Sequence, residues 1–231
     1  MGLSLIVGIL ADLKDQDEEG AEHYRAQFEA VNQALKAEKL PIHQEPETLE
    51  SSYSGDMFGY SALHHLRKIA AFSWAGFDLP TPWTEDPTKD PIVQEYYDSL
   101  GERKPSLLSR FFGKPRLASP RYDHLMFHSD AEGYYLPQDF DAVIYPHPRL
   151  KIAGGMIGSS VHLKKECESL ARLLELPLDL DPESDEVLEA VEEPGKASTK
   201  WKSYAKACHA CLRLWGACDF SLKNRAAIVF A

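Results

Sequence analysis

The chain has 231 residues, 44% of them hydrophobic, and carries 25 Lys and Arg against 36 Asp and Glu, a formal net charge of −11. Such a chain can bury a substantial core, which excludes disorder throughout, and its negative field repels phosphate backbones while attracting basic proteins. A basic protein is therefore the expected partner, with no nucleic acid and no membrane, since no window approaches the roughly eighteen apolar residues of a spanning helix.

The opening LSLIVGILAD reads as a buried strand over about residues 3–10. It has no basic flank and runs directly into acidic sequence, unlike a signal peptide. In EEGAEHYRAQFEAVNQALKAEK, residues Ala21, Tyr24, Phe28, Val31 and Leu35 recur at three- and four-residue steps, which predicts a helix with one apolar stripe. Residues 42–58 are polar and read as a connecting loop. GYSALHHLRKIAAFSWAG predicts a second helix ending at Gly76. Its adjacent His64 and His65 face different sides, so they do not make a one-face metal pair.

From about residue 77 to 121 prolines crowd the sequence, and the segment reads as an irregular insertion into a single domain spanning 1–231. PIVQEYYDSL predicts a short helix within it, and LLSRFFGKPR is locally basic and aromatic. RYDHLMFHS alternates Leu125 and Phe127 against His124, Met126 and His128, as a half-buried strand does. DAEG is turn material, DAVIYPHP a short strand or helical turn, and KIAGGMIGSS leads into a helix capped by Ser159 or Ser160. An acidic linker, LDLDPESDEVLEAVEEPG, holds a short helix after Ser184. The last helix, KWKSYAKACHACLRLWGACDFSLKN, places Trp201, Tyr204, Cys208, Cys211, Trp215 and Cys218 on one stripe, and AAIVF predicts a final strand over about 226–230.

Three stretches could carry chemistry. If the strand continues through HSDAEG, His128, Asp130 and Glu132 point the same way and offer a divalent metal one imidazole and two carboxylates; otherwise Asp130 and Gly133 build a turn and His128 makes a structural hydrogen bond. In CHAC the cysteines lie on the buried stripe, where core packing explains them better than zinc, because one helix cannot converge them with Cys218 and His209. GGMIGSS resembles a phosphate-binding turn but lacks the lysine of a P-loop, the dinucleotide spacing and the nucleophile-elbow pattern. No catalytic triad and no cofactor is expected. The four cysteines, Cys167, Cys208, Cys211 and Cys218, are confined to the final third, which points to a reducing cytoplasm instead of a disulfide framework.

LIVGILADL, HSDAEGYYLPQDF and GGMIGSS together resemble a group of uncharacterised bacterial proteins of similar length, whose motifs read HSDxEGYY and GGMxGSS. HSDAEG before a Pro-containing segment, with the closing aromatic-rich helix and AAIVF, is similar in layout to immunity proteins of polymorphic-toxin systems. Ala131 stands where those relatives often have Cys. The resemblance implies a non-enzymatic inhibitor of a toxin partner and transfers no catalytic residue. The expected architecture is α/β or α+β, a small sheet on about three long amphipathic helices. The expected contact surface is Asp130, Glu132, Tyr134 and Tyr135, with Trp83, Phe111 and Phe112 as further anchors. The alternative is a metal-dependent hydrolase using His128, Asp130 and Glu132, with His124 in support.

Overall fold

The computed structural model describes residues 3–57, 59–82, 86–99, 121–193 and 198–230. The fold is α+β, a small sheet packed on helices. Strand β1 (Leu3–Val7) leads through Gly8 into a short helix α1 (Ile9–Leu13) and the long helix α2 (Glu18–Ala37). The predicted strand stops early at Gly8, whose φ of +86° suits glycine and turns the chain into α1. Helix α2 begins where Asp17 accepts a hydrogen bond from the Gly20 N–H, with Glu18 and Glu19 in the first turn complementing the helix dipole. Strand β2 (Tyr53–Met57) follows, then α3 (Gly59–Ala75), α4 (Pro91–Asp98) and α5 (Asp123–Met126). The chain closes with β3 (Gly133–Leu136), β4 (Ile157–Ser159), α6 (Ser160–Leu174), α7 (Asp185–Glu192), α8 (Lys200–Ser203), α9 (Ala205–Asn224) and β5 (Ile228–Phe230).

The strands lie in the order β2-β1-β5-β3-β4, antiparallel except for β3 and β4. Alternation along them feeds two cores. Leu3, Leu5, Val7, Tyr135, Ile228 and Phe230 face α3, α6 and α9, whereas Tyr134, Leu136, Ile157 and Val229 face α1 and α2. The four cysteines are free and buried in the first core, and the Cys211 thiol donates to the Cys167 carbonyl. Among the described residues no helix is long and apolar enough to cross a membrane.

Three local expectations are corrected. Residues 122–128 form no strand, because the Glu166 carboxylate on α6 accepts the His124 and Leu125 N–H groups and caps one helical turn there. The alternation misled because His124, Leu125, Met126, Phe127 and His128 are all buried. Part of the expected loop 42–58 is β2, an edge strand specified by backbone pairing with β1 and not by its polar sequence. The last helix is interrupted at Tyr204, which leaves helical geometry (φ −116°, ψ 30°) while its hydroxyl donates to the Pro80 carbonyl.

Candidate functional site

HSDAEG is a tightly determined turn. Arg67 on α3, 2% exposed, donates from Nε to the Leu125 carbonyl (2.8 Å), from Nη2 to the His128 carbonyl (2.7 Å) and from Nη1 to Asp130 Oδ1. Asp130 also faces His64 Nε2 at 3.5 Å. The Ser129 hydroxyl accepts the Ala131 and Glu132 N–H groups, closing the turn. Gly133 is required there: its φ is +129°, and a Cβ would sit 2.7 Å from the His128 ring.

His128 is 3% exposed and stacks on Tyr135 with ring centroids 3.9 Å apart. Its Nδ1 and Nε2 each lie 3.2 Å from a carbonyl, of Ser129 and Tyr134. Burial holds its pKa down at about 4, so the ring is neutral near pH 7. The metal alternative is therefore corrected: His128 points into the core, Asp130 is committed to Arg67, and residues 130–132 turn instead of continuing a strand. Supporting His124 is buried as well, its Nδ1 accepting the Ser159 N–H and its Nε2 donating to the Asp141 carbonyl. Burial, then the neighbouring His162, lowers its pKa to about 4.

The predicted contact surface is only partly a surface. Tyr134 and Tyr135 are each 1% exposed and belong to opposite cores, so neither can anchor a partner. Asp130 and Glu132 do reach solvent, Asp130 with its charge already paired. Trp83, Phe111 and Phe112 lie outside the described residues. In GGMIGSS, Gly154 passes so close to the Glu132 carbonyl that a Cβ would come within 2.2 Å, and Ser159 caps α6 by accepting the His162 N–H. The Ser159 N–H is taken by His124, which makes this a packing joint.

The strongest concentration of available charge lies elsewhere, over residues 175–193. Those nineteen residues hold nine carboxylates and no Lys or Arg: Glu175, Asp179, Asp181, Glu183, Asp185, Glu186, Glu189, Glu192 and Glu193. All nine are exposed, while Leu176, Val187, Ala190 and Val191 between them are buried. On α7 the acids at 185/186, 189 and 192 recur at helical steps on the face opposite Val187, Ala190 and Val191, and Glu193 follows at the C-cap. Like charges at such steps cost about 0.2–0.5 kcal/mol per pair. Full burial of one large aliphatic side chain returns about 1.5–3 kcal/mol, so packing wins and the ribbon is held down. Lys200, Lys202 and Arg213 fasten its inner edge, pairing with Glu175 (3.5 Å), Glu186 (2.8 Å) and Glu183 respectively. Among the described residues no ion pair engages Asp179, Asp181, Asp185, Glu189 or Glu192.

The spacing has a physical counterpart. From Asp185 to Glu193 five carboxylates span eight helical rises, roughly 12 Å, or about one charge per 2.4 Å, against one per ~1.7 Å of axis for duplex DNA. A second exposed acidic run, Asp12, Asp15, Asp17, Glu18, Glu19 and Glu22, leads into α2 across the sheet.

Residues 1–230 match the family described as "Putative DNA-mimic protein". The chain belongs to this family. Neither a curated protein nor a solved structure matches it. Membership fits an acidic, protein-binding and non-enzymatic role with a basic partner. It corrects the expectation of no nucleic acid among the partners: the family description implies mimicry of DNA, and with it a bearing on proteins that bind DNA. The sequence signal that could have singled out this ribbon is the absence of Lys and Arg among nine acids, in a segment that otherwise reads as a linker.

Proposed function

We propose that this chain inhibits a basic DNA-binding protein by presenting the ribbon 175–193 to the groove or face that otherwise takes DNA. The observation carrying this reading is the ribbon itself: nine exposed carboxylates without an intervening cation, fixed to the core by their apolar neighbours. Successive acids along α7 lie within about one turn, 5.4 Å, of each other, inside the ~8 Å screening length at physiological salt, so a partner meets them as one field. Lys and Arg side chains that release counterions on binding phosphates would do the same on binding this ribbon, and the field speeds their encounter. The more specific form, supported by the layout of HSDAEG before a Pro-containing segment, the closing aromatic-rich helix and AAIVF, is an immunity-type role in which the partner is a DNA-acting toxin.

The test is capture of partners on the immobilised, tagged protein, followed by elution with a short duplex oligonucleotide. A basic DNA-binding protein that is stoichiometric, released by the duplex and not retained when Asp179, Asp181, Asp185, Glu189 and Glu192 are changed to Asn or Gln is the expected result. Toxicity of that protein when expressed alone would support the immunity form. Bound proteins indifferent to duplex DNA, or an empty bait, would overturn the reading.

A further inference from the structure

Beyond the ribbon, one cluster among the described residues brings three metal-ligating side chains, an imidazole and two carboxylates, together. Asp139 and Asp141 lie in the loop after β3, and His162 is in the first turn of α6. His162 Nε2 lies 2.8 Å from Asp139 Oδ1 and 3.6 Å from Asp141 Oδ1, and one ligand atom from each residue lies within 4.8 Å of the other two. We propose that these three residues bind a single divalent transition-metal cation, of which Zn²⁺ is the probe, with its remaining positions filled by water.

Four observations carry this. The two His162–carboxylate separations, 2.8 and 3.6 Å, bracket the roughly 3.3–3.5 Å edges of a tetrahedral site with ligand bonds of about 2.0–2.2 Å, and the two carboxylates lie within 4.8 Å of each other, a span that rotation of the exposed aspartates can close. A single Nε2 faces two carboxylates: as a neutral imidazole it can donate one hydrogen to one of them, whereas a cation satisfies all three groups at once. The backbone carrying the carboxylates is pinned on both sides, the Ser159 hydroxyl donating to the Gln138 carbonyl (2.5 Å) and His124 Nε2 to the Asp141 carbonyl (3.3 Å). Finally, Gln138, one residue before the first ligand, holds a buried side-chain oxygen without a hydrogen-bond donor among the described residues, the kind of acceptor to which a metal-bound water can donate. One imidazole with two carboxylates suits zinc-class ions better than Mg²⁺, which prefers an all-oxygen octahedron. Asp141 is fully exposed and Asp139 largely so, which leaves the open positions facing solvent. The site is independent of the DNA-mimic reading.

The experiment is isothermal titration of chelator-stripped full-length protein with Zn²⁺ and, separately, Mg²⁺. The variants are His162→Ala, Asp141→Asn and a ribbon control, Asp185→Asn/Glu189→Gln/Glu192→Gln. One Zn²⁺ per chain is expected, weakened at least about tenfold by either site variant and unchanged in the ribbon control, with no saturable Mg²⁺ heat. The solvent-facing Asp141→Asn change keeps the test valid even if His162→Ala perturbs folding. Absence of saturable Zn²⁺ binding, or isotherms that ignore the site variants and follow the ribbon control, would overturn the site and leave only ions condensed on an acidic surface.

Discussion

The turn at HSDAEG and the ribbon at 175–193 are both acidic, both follow buried sequence and both reach the surface, yet only one keeps its charge available. At the turn, Arg67 arrives from α3, more than sixty residues earlier, and takes Asp130 together with two carbonyls. The aromatic residues that look like a contact surface go instead to the two faces of the sheet. At the ribbon the apolar residues anchor, the acids stay outside, and Lys202, Arg213 and Lys200 reach Glu186, Glu183 and Glu175 while, among the described residues, no ion pair engages Asp179, Asp181, Asp185, Glu189 or Glu192. An acidic motif is therefore a site or a structural joint according to what the fold places behind it.

The contrast predicts separable phenotypes. The largest effect belongs to Arg67→Met, which strands the buried Leu125 and His128 carbonyls and removes the partner of half-exposed Asp130: a stability loss of about 3–5 kcal/mol in urea unfolding is expected. Neutralising Asp179, Asp181, Asp185, Glu189 and Glu192 together should leave the unfolding midpoint unchanged or raised. A midpoint that falls in the ribbon variant as far as in Arg67→Met would erase the distinction.

In stopped-flow association with the captured partner at low salt, the ribbon variant should bind about 10–100-fold more slowly and with a shallower salt dependence. Asp130→Asn/Glu132→Gln should change the rate less than about twofold. If the turn variant slows association as much as the ribbon variant, the contact surface returns to the turn.

Acid should damage the turn first. His128 is held neutral in the fold chiefly by burial, with Arg67 and His124 also disfavouring its charge and the Ser129 and Tyr134 carbonyls favouring it. Because its folded pKa of about 4 lies below the unfolded value near 6.5, the unfolded chain takes up the proton first. Its contribution is thus complete above about pH 6.5 and drains away as pH falls toward 4. Unfolding free energies from urea titrations at pH 7 and pH 5 should differ by about 1–2 kcal/mol from this group, and His128→Gln should flatten that slope. An unchanged slope would show that His128 is not the buried base.

Lys202→Ala should have the smallest effect, under about 1 kcal/mol, since its pair with half-exposed Glu186 is a surface ion pair. A larger loss would mean that the ribbon is held by its cations more than by Val187 and its neighbours.

Much of this protein was legible along the chain. The stripe Ala21, Phe28, Val31 and Leu35 fixes α2, Ser159 marks the start of α6, Ser184 that of α7, and the β-branched runs at each end of the chain give β1 and β5, because local periodicity and capping act within a few residues. Charge balance alone pointed to a basic partner. What the tertiary structure decided were matters of long-range placement: Glu166 reaching across to turn residues 123–126 into a helix, β1 recruiting the polar segment 53–57 as an edge strand, and Arg67 consuming Asp130. Each depends on a partner at least forty residues away. Spacing within a motif cannot reveal which carboxylates are neutralised from behind and which, like those of 175–193, are left facing solvent.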